Sequence, residues 1–238
     1  MEHAGGAKNA FGHLEDYNKG IMMTPEDHLA LTKYLSMEDL MQFRYDFDHE
    51  QAYEEISKYP RDTWPRYNPR KPIERYSLDL TQLPGGNDNV SSLNEYNQTA
   101  GVKLNNHDFT QPTEIYHNLP TIKGILEPFR PWLGRTHIIR IDAGGFFPPH
   151  YDTVIPDEDV YDVRLVAAIH NITDMYFKWL YDTDNRVIPL QNGNVWAINT
   201  GKPHSVFSFK NDAMILVANL RFDKALFKEI IDNHYKYS

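Results

Sequence analysis

The hydrophobic pattern divides this chain into two regimes. From residue 135 onward, apolar residues fall in short alternating or continuous runs with turn residues between them. The pattern predicts strands over Thr136–Asp142, Val160–Ile169, Met175–Tyr181, Asn194–Asn199, Ser205–Phe209 and Ala213–Phe222. Ala143-Gly144-Gly145, Asp182-Thr183-Asp184-Asn185, Gln191-Asn192-Gly193 and Lys210-Asn211-Asp212 punctuate them. Short strands at even spacing predict an antiparallel barrel or jelly roll.

The first half reads differently. Residues 1–20 show no period and read as a loose arm. Thr24-Pro25-Glu26-Asp27 has the form of a helix start, with a capping hydroxyl, a proline at the first turn and an acid three positions on. Ser36-Met37-Glu38-Asp39 repeats it, and Leu40, Phe43 and Phe47 then recur at helical spacing. Further helices are predicted over Gln51–Lys58, stopping before Pro60, and over Leu119–Phe129. Tyr76–Leu80 alternates like a short strand inside a Pro-, Asn- and Tyr-rich stretch. Asp223 caps a last helix through His234, with Leu226, Ile230 and Ile231 on one face. The expected organisation is one domain, mainly β with α. Residues 1–130 form a mostly helical, loop-rich support, 135–222 the β-core, and 223–238 a terminal helix.

Composition narrows the function. The 238 residues include 33 acidic and 24 basic side chains, a net charge of −9, which argues against nucleic acid or an anionic membrane as main partner. The absence of cysteine excludes disulfides, thiolate metal sites and a cysteine nucleophile. The N-terminus lacks a signal-peptide pattern, and apolar runs such as Met214–Ala218 are far too short to span a membrane. A soluble, cytoplasmic protein is expected.

The chemistry concentrates in the strand-rich half. His150 and Asp152 lie two apart, so in an extended segment they point the same way. His204 opens a later strand that a jelly roll folds back beside the first. Two imidazoles and one carboxylate on one face form the facial triad that holds Fe(II) and leaves positions open. Singly, each histidine reads as an ordinary structural residue; the combination with Asp152 and its flanks points to the metal site. His137 and the other histidines read as ordinary, and Tyr116, Phe177, Trp179 and Trp196 as core aromatics, one or two of them lining a pocket. Asp157-Glu158-Asp159 reads as a solvated loop or an acidic flap over the site.

Over Arg135–Phe222 the chain resembles the Fe(II)/2-oxoglutarate-dependent dioxygenases, most of all the aspartyl/asparaginyl β-hydroxylase and small prolyl hydroxylase branch. Gly144-Gly145, Pro149-His150-Tyr151-Asp152, Val163-Arg164-Leu165, Gly193-Asn194-Val195-Trp196 and His204-Ser205-Val206 carry the resemblance. It implies a double-stranded β-helix, Fe(II) held by His150, Asp152 and His204, and 2-oxoglutarate as cosubstrate. It also implies dioxygen as co-reactant and hydroxylation of an unactivated carbon in an amino acid, peptide or small metabolite. The carboxylate ligand favours hydroxylation over halogenation. The family's cosubstrate arginine falls about ten positions after His204, where this chain has Met214. Arg164, then Arg221, then Arg140 are the substitute candidates, because a planar guanidinium gives a carboxylate two parallel hydrogen bonds. Each also has a plainer reading as a salt-bridge partner. Two alternatives stay open: a cupin-type metalloenzyme that does not use 2-oxoglutarate, and a metal-free jelly-roll binding module.

Overall fold

The computed structural model describes residues 40–86, 92–150, 152, 162–180, 185–198, 200, 203–221 and 224–234. All of these belong to one compact unit, Asp39–Ser238. The helix starts expected at Thr24 and Ser36, the flap Asp157-Glu158-Asp159 and the cap Asp223 lie outside the described residues.

The described residues form twelve strands: β1 Leu40–Asp46, β2 Arg75–Asp79, β3 Thr81–Gln82, β4 Gln111–Pro112, β5 Leu133–Ile141, β6 Phe146–His150, β7 Asp162–His170, β8 Met175–Leu180, β9 Asn185–Val187, β10 Asn194–Ile198, β11 His204–Ser208 and β12 Ala213–Arg221. A six-stranded sheet runs β1-β10-β7-β12-β5-β2, and a four-stranded sheet runs β6-β11-β8-β9. Every pairing is antiparallel. Consecutive strands from β5 onward mostly alternate between the two sheets, which is the winding of a double-stranded β-helix. The expected fold class, mainly β with helices around a jelly-roll core, is what the chain adopts.

The core lies between the sheets. Ile139 and Ile141 of β5, Val166 and Ala168 of β7, Trp196 and Ile198 of β10, Val206 of β11 and Ile215 and Val217 of β12 form one buried cluster. Side chains alternate along a strand, so these positions mark the inward face of each. β5 is buried at every position because its other face is also covered. There Arg140 lies between the rings of Trp64 and Tyr76, 4.9 and 4.8 Å from their centroids, and faces Asp142 at 3.8 Å.

Helices close the outside. His49–Ile56 is capped by the Asp48 carboxylate and packs on β7. Pro120–Leu126 begins at its proline and passes into a 3-10 turn, Glu127–Trp132, where Pro128 and Pro131 interrupt regular α bonding. Lys224–Glu229 continues as a π-turn through His234, burying Leu226, Ile230 and Ile231 as the pattern predicts.

One prediction fails clearly. Leu40 and Phe43 belong to a strand, β1, that extends the larger sheet beside β10. Leu40 joins the inner core, while Met41 and Phe43 are buried against other neighbours, so burial on both faces gave a spacing that mimics a helix. Sheet pairing, absent from local sequence, overrides the local pattern. The first 130 residues therefore contribute strands as well as helices to the support. No helix among the described residues is long and apolar enough to cross a membrane.

Candidate metal centre

The turn before the site is set by two glycines. Gly144 takes φ +82°, a conformation costly for any side chain. A Cβ on Gly145 would lie 2.2 Å from the Glu74 carbonyl oxygen. Gly144 donates to the Ser208 carbonyl and Ser208 donates back to Gly145, each at 3.0 Å, which fixes β6 beside β11.

β6 is the edge of the smaller sheet, where Pro148 and Pro149 cost no ladder bond on the open side. Phe147 pairs with Val206, yet the next pairing is His150 with His204. Two residues of β6 thus oppose Ser205 alone, which is a β-bulge. The bulge resets alternation, so Phe147 and His150 both turn inward although they lie three apart.

That register puts the two histidines directly opposite each other. Their ring centroids are 4.3 Å apart. His150 Nδ1 lies 2.7 Å from the Pro148 carbonyl oxygen and donates to it, leaving Nε2 as the free lone pair. Nε2 faces Asp152 Oδ1 at 3.8 Å. The Asp152 backbone N–H donates to the Thr200 carbonyl at 2.9 Å, tying the acid to the segment before β11. One ligand atom from each of His150, Asp152 and His204 lies within 4.8 Å of the others.

Arg164, inward-facing on β7, places Nη2 2.8 Å from Asp152 Oδ2. Burial pushes the Asp152 carboxyl up. The Arg164 guanidinium, the Thr200 hydroxyl and the two imidazoles outweigh that effect and hold it below the usual range. The acid is therefore ionised at neutral pH, with one oxygen on Arg164 and the other toward His150.

The other two arginine candidates are placed elsewhere. Arg140 is on the outer face of β5, among Trp64, Tyr76 and Asp142. Arg221 is exposed at the end of β12. Met214 pairs with Arg140 and faces outward with it, and the flanking inward positions are Ala213 and Ile215. Of the aromatics, Tyr116 is buried outside this cluster with its hydroxyl on Glu127, and Trp196 belongs to the inner core.

Further polar groups share the interior. His137 shares the inward face of β5 with Ile139, and neither ring nitrogen has a hydrogen-bond partner. Its ring meets Tyr67 edge-on at 5.7 Å, and Tyr67 meets Phe147 at 5.1 Å. The Arg135 guanidinium lies 5.9 Å from the Tyr67 ring. Trp196 Nε1 and Arg164 Nε are likewise buried without partners. Sequence reasoning treated His137 as ordinary. The available signal was its two-residue spacing from both Arg135 and Ile139 on a strand buried throughout.

The donor set fits a divalent metal. Metal–ligand bonds of about 2.1 Å allow ligand atoms up to about 4.2 Å apart, and the His150–Asp152 pair lies inside that limit. Two neutral imidazoles and one carboxylate suit iron of the facial-triad type.

No protein-family model matches the chain, and neither does any curated protein. Among solved structures, an oxidoreductase of the 2-oxoglutarate–Fe(II) oxygenase family from Burkholderia pseudomallei matches with TM-score 0.52 and 14% identity, over 82% of this chain and 89% of that one. A Pseudomonas putida prolyl-4-hydroxylase gives 0.48 at 14% identity, over 82% and 99%. HygX from Streptomyces hygroscopicus, with nickel and 2-oxoglutarate bound, gives 0.46 at 10%, over 84% and 87%. The likeness to the Burkholderia protein is one of fold: this chain is wound as that protein is.

Proposed function

We propose that this protein is an Fe(II)- and 2-oxoglutarate-dependent oxygenase in which His150, Asp152 and His204 hold the metal. The observation that carries the reading is the pairing of His150 with His204 across β6 and β11, with Asp152 at the same point. Fe(II) with 2-oxoglutarate would supply oxidation of an unactivated C–H bond by dioxygen, with succinate and carbon dioxide as coproducts.

The chain's own groups prepare that chemistry. The Pro148 carbonyl holds the Nδ1 proton of His150, so Nε2 can ligate without first losing a proton. Arg164 keeps Asp152 ionised and occupies Oδ2, which favours ligation through Oδ1 alone. Three protein ligands leave room for a chelating cosubstrate and dioxygen. A substrate of amino-acid, peptide or small-metabolite class accords with the resemblance in Pro149–Asp152 and Val163–Leu165.

Anaerobic Fe(II) titration of the wild type beside Asp152→Ala and His204→Ala tests the site. Both variants are expected to lose affinity, and undiminished affinity in both sinks the reading. Succinate release from 2-oxoglutarate under oxygen then tests the activity. One observation favours a second reading, a cupin-type metalloenzyme without 2-oxoglutarate: the inward positions flanking Met214 are the uncharged Ala213 and Ile215. That enzyme would bind Fe(II) and release no succinate.

A further inference from the structure

Each sheet of the jelly roll ends on an open strand. β2 is last in the six-stranded sheet and β6 last in the four-stranded one. β6 carries His150 and pairs on one flank, with β11. An edge strand turns alternate carbonyls to its open side. The Gly145 carbonyl accepts from Ser208 of β11, so the Phe146 carbonyl points the other way. Arg75 of β2 meets it there, its Nη1 donating to the Phe146 carbonyl at 2.8 Å. The guanidinium carbon also lies 4.0 Å from the centroid of the Phe147 ring and 5.4 Å from that of Tyr67. The other arm of the fork, Nη2, donates to Asn68 Oδ1. Asn68 Nδ2 in turn donates to Glu95 Oε1 at 2.7 Å, on the helix Leu93–Ala100. The two bonds fix which way the Asn68 amide faces. Backbone contact brings the strands together just before Arg75: the Glu74 carbonyl accepts from the Asp142 N–H at 3.0 Å and takes the space a Gly145 Cβ would need.

Arg75 is 3% exposed. Burying a cation is costly unless hydrogen bonds and aromatic faces compensate it, and here those compensating groups belong to the strand that presents His150. The Phe147 ring lies 6.0 Å from the His150 ring with 26° between their planes. Between these two residues β6 carries its bulge, where an edge strand is free to bend and twist. Arg75 fastens the residues just ahead of that free point. We propose that Arg75 is a positioning residue for the metal centre: it closes the seam between the two sheet edges and holds Phe147, and through it His150, at the ligating angle. The inference rests on the metal-site reading, because the angle matters only if His150 is a ligand. Glu95 and Asn68 orient the guanidinium from the outer side of the seam, so the helix Leu93–Ala100 takes part in shaping the centre without touching it.

The test sets Arg75→Met beside Arg140→Met, which removes another buried guanidinium held between rings but away from β6. Two quantities are read: Fe(II) affinity by anaerobic titration, and the visible absorption bands of the Co(II)-loaded protein, which report ligand geometry. Arg75→Met is expected to lower Fe(II) affinity by about 10-fold and to move the Co(II) bands. Arg140→Met should lower Tm while leaving the bands in place and the affinity within about 2-fold. Arg75→Lys should recover part of the affinity, since lysine keeps a charge over Phe147 but loses the planar fork. Wild-type affinity and bands in a folded Arg75→Met overturn the inference and spare the metal site. Equal losses in Arg75→Met and Arg140→Met do the same, because they trace the effect to general destabilisation. Failure of the wild type to bind Fe(II) overturns both. If Arg75→Met does not fold, Asn68→Ala decides, because it leaves the guanidinium in place and frees one arm. Affinity lowered by about 3-fold with shifted bands is then expected; unchanged bands and affinity end the proposal.

Discussion

Arg164 of β7 and Asp152, which follows β6, meet across the interior at 2.8 Å, joining the two sheets of the jelly roll at the candidate metal centre. The side chains are 12% and 30% exposed, so the pair is shielded more than a surface salt bridge. Its consequence is orientation: one carboxylate oxygen is spoken for and the other is aimed at the histidines.

Arg164→Met should therefore weaken Fe(II) binding without removing a ligand. The expected loss is about 10- to 100-fold, the usual effect of removing a group that orients a metal ligand. Arg164→Lys should recover part of it, because a lysine restores the charge but not the planar geometry. Anaerobic titration measures this, and unchanged affinity in Arg164→Met counts against the orienting role.

Metal binding should stabilise the fold. At about 100 times the dissociation constant, Fe(II) is expected to add about 2.7 kcal/mol, seen as a rise in Tm that a chelator reverses. His204→Ala should abolish the rise, since His204 supplies one of the three ligands and sits 3% exposed opposite His150. A metal-free binding module would show no chelator effect.

His137 should make the protein acid-sensitive. Burial first, then Arg135 and Arg164, depresses its pKa well below the ordinary imidazole value of 6.5. The unfolded chain then binds a proton that the folded chain does not. This contribution to stability is fully present above pH 6.5 and declines as pH falls toward the depressed folded value, by about 1.4 kcal/mol per pH unit. Urea melts of the metal-free protein between pH 7 and pH 5 should show the slope, and His137→Phe should flatten it. Equal slopes would place the acid sensitivity elsewhere.

Gly145→Ala should damage fold and site together. The new methyl would lie 2.2 Å from the Glu74 carbonyl oxygen, 2.7 Å from Ile141 Cγ2 and 2.9 Å from the Asp142 carbonyl oxygen. Two of those atoms are backbone and cannot swing away. A loss of about 3 kcal/mol is expected in urea denaturation, with weaker Fe(II) binding as β6 shifts. A fully stable variant would show that the turn has slack.

Arg140→Met should separate structure from cosubstrate binding. Arg140 lies between Trp64 and Tyr76 on the outer face of β5, so its loss is expected to lower stability by about 1–2 kcal/mol while 2-oxoglutarate affinity stays unchanged. A selective loss of 2-oxoglutarate binding in a stable variant would return Arg140 to the site.

β5, β7, β8, β10, β11 and β12 were legible because each is a short, largely apolar run closed by glycine, asparagine or aspartate, and that chemistry is local. β1 was not, because its burial on two sides comes from partners distant in the chain. β6 was hidden by its prolines, which weaken any strand signal yet are tolerated at a sheet edge. His150, Asp152 and His204 could be picked out because ligand chemistry and two-residue spacing are written in the chain. Their convergence could not be read there. It depends on the bulge opposite Ser205, which turns His150 to the same side as Phe147.

The amino-acid order alone determined which side chains could bind a metal, the alternating strands that carry them, and the absence of an arginine at position 214. Tertiary structure decided how the arginines divide: Arg164 against Asp152, Arg140 on the outer face, Arg221 exposed, and Arg135 beside His137 in the interior. The physical reason is that a strand's periodicity tells which residues share a side, while only pairing between sheets tells which side is inside.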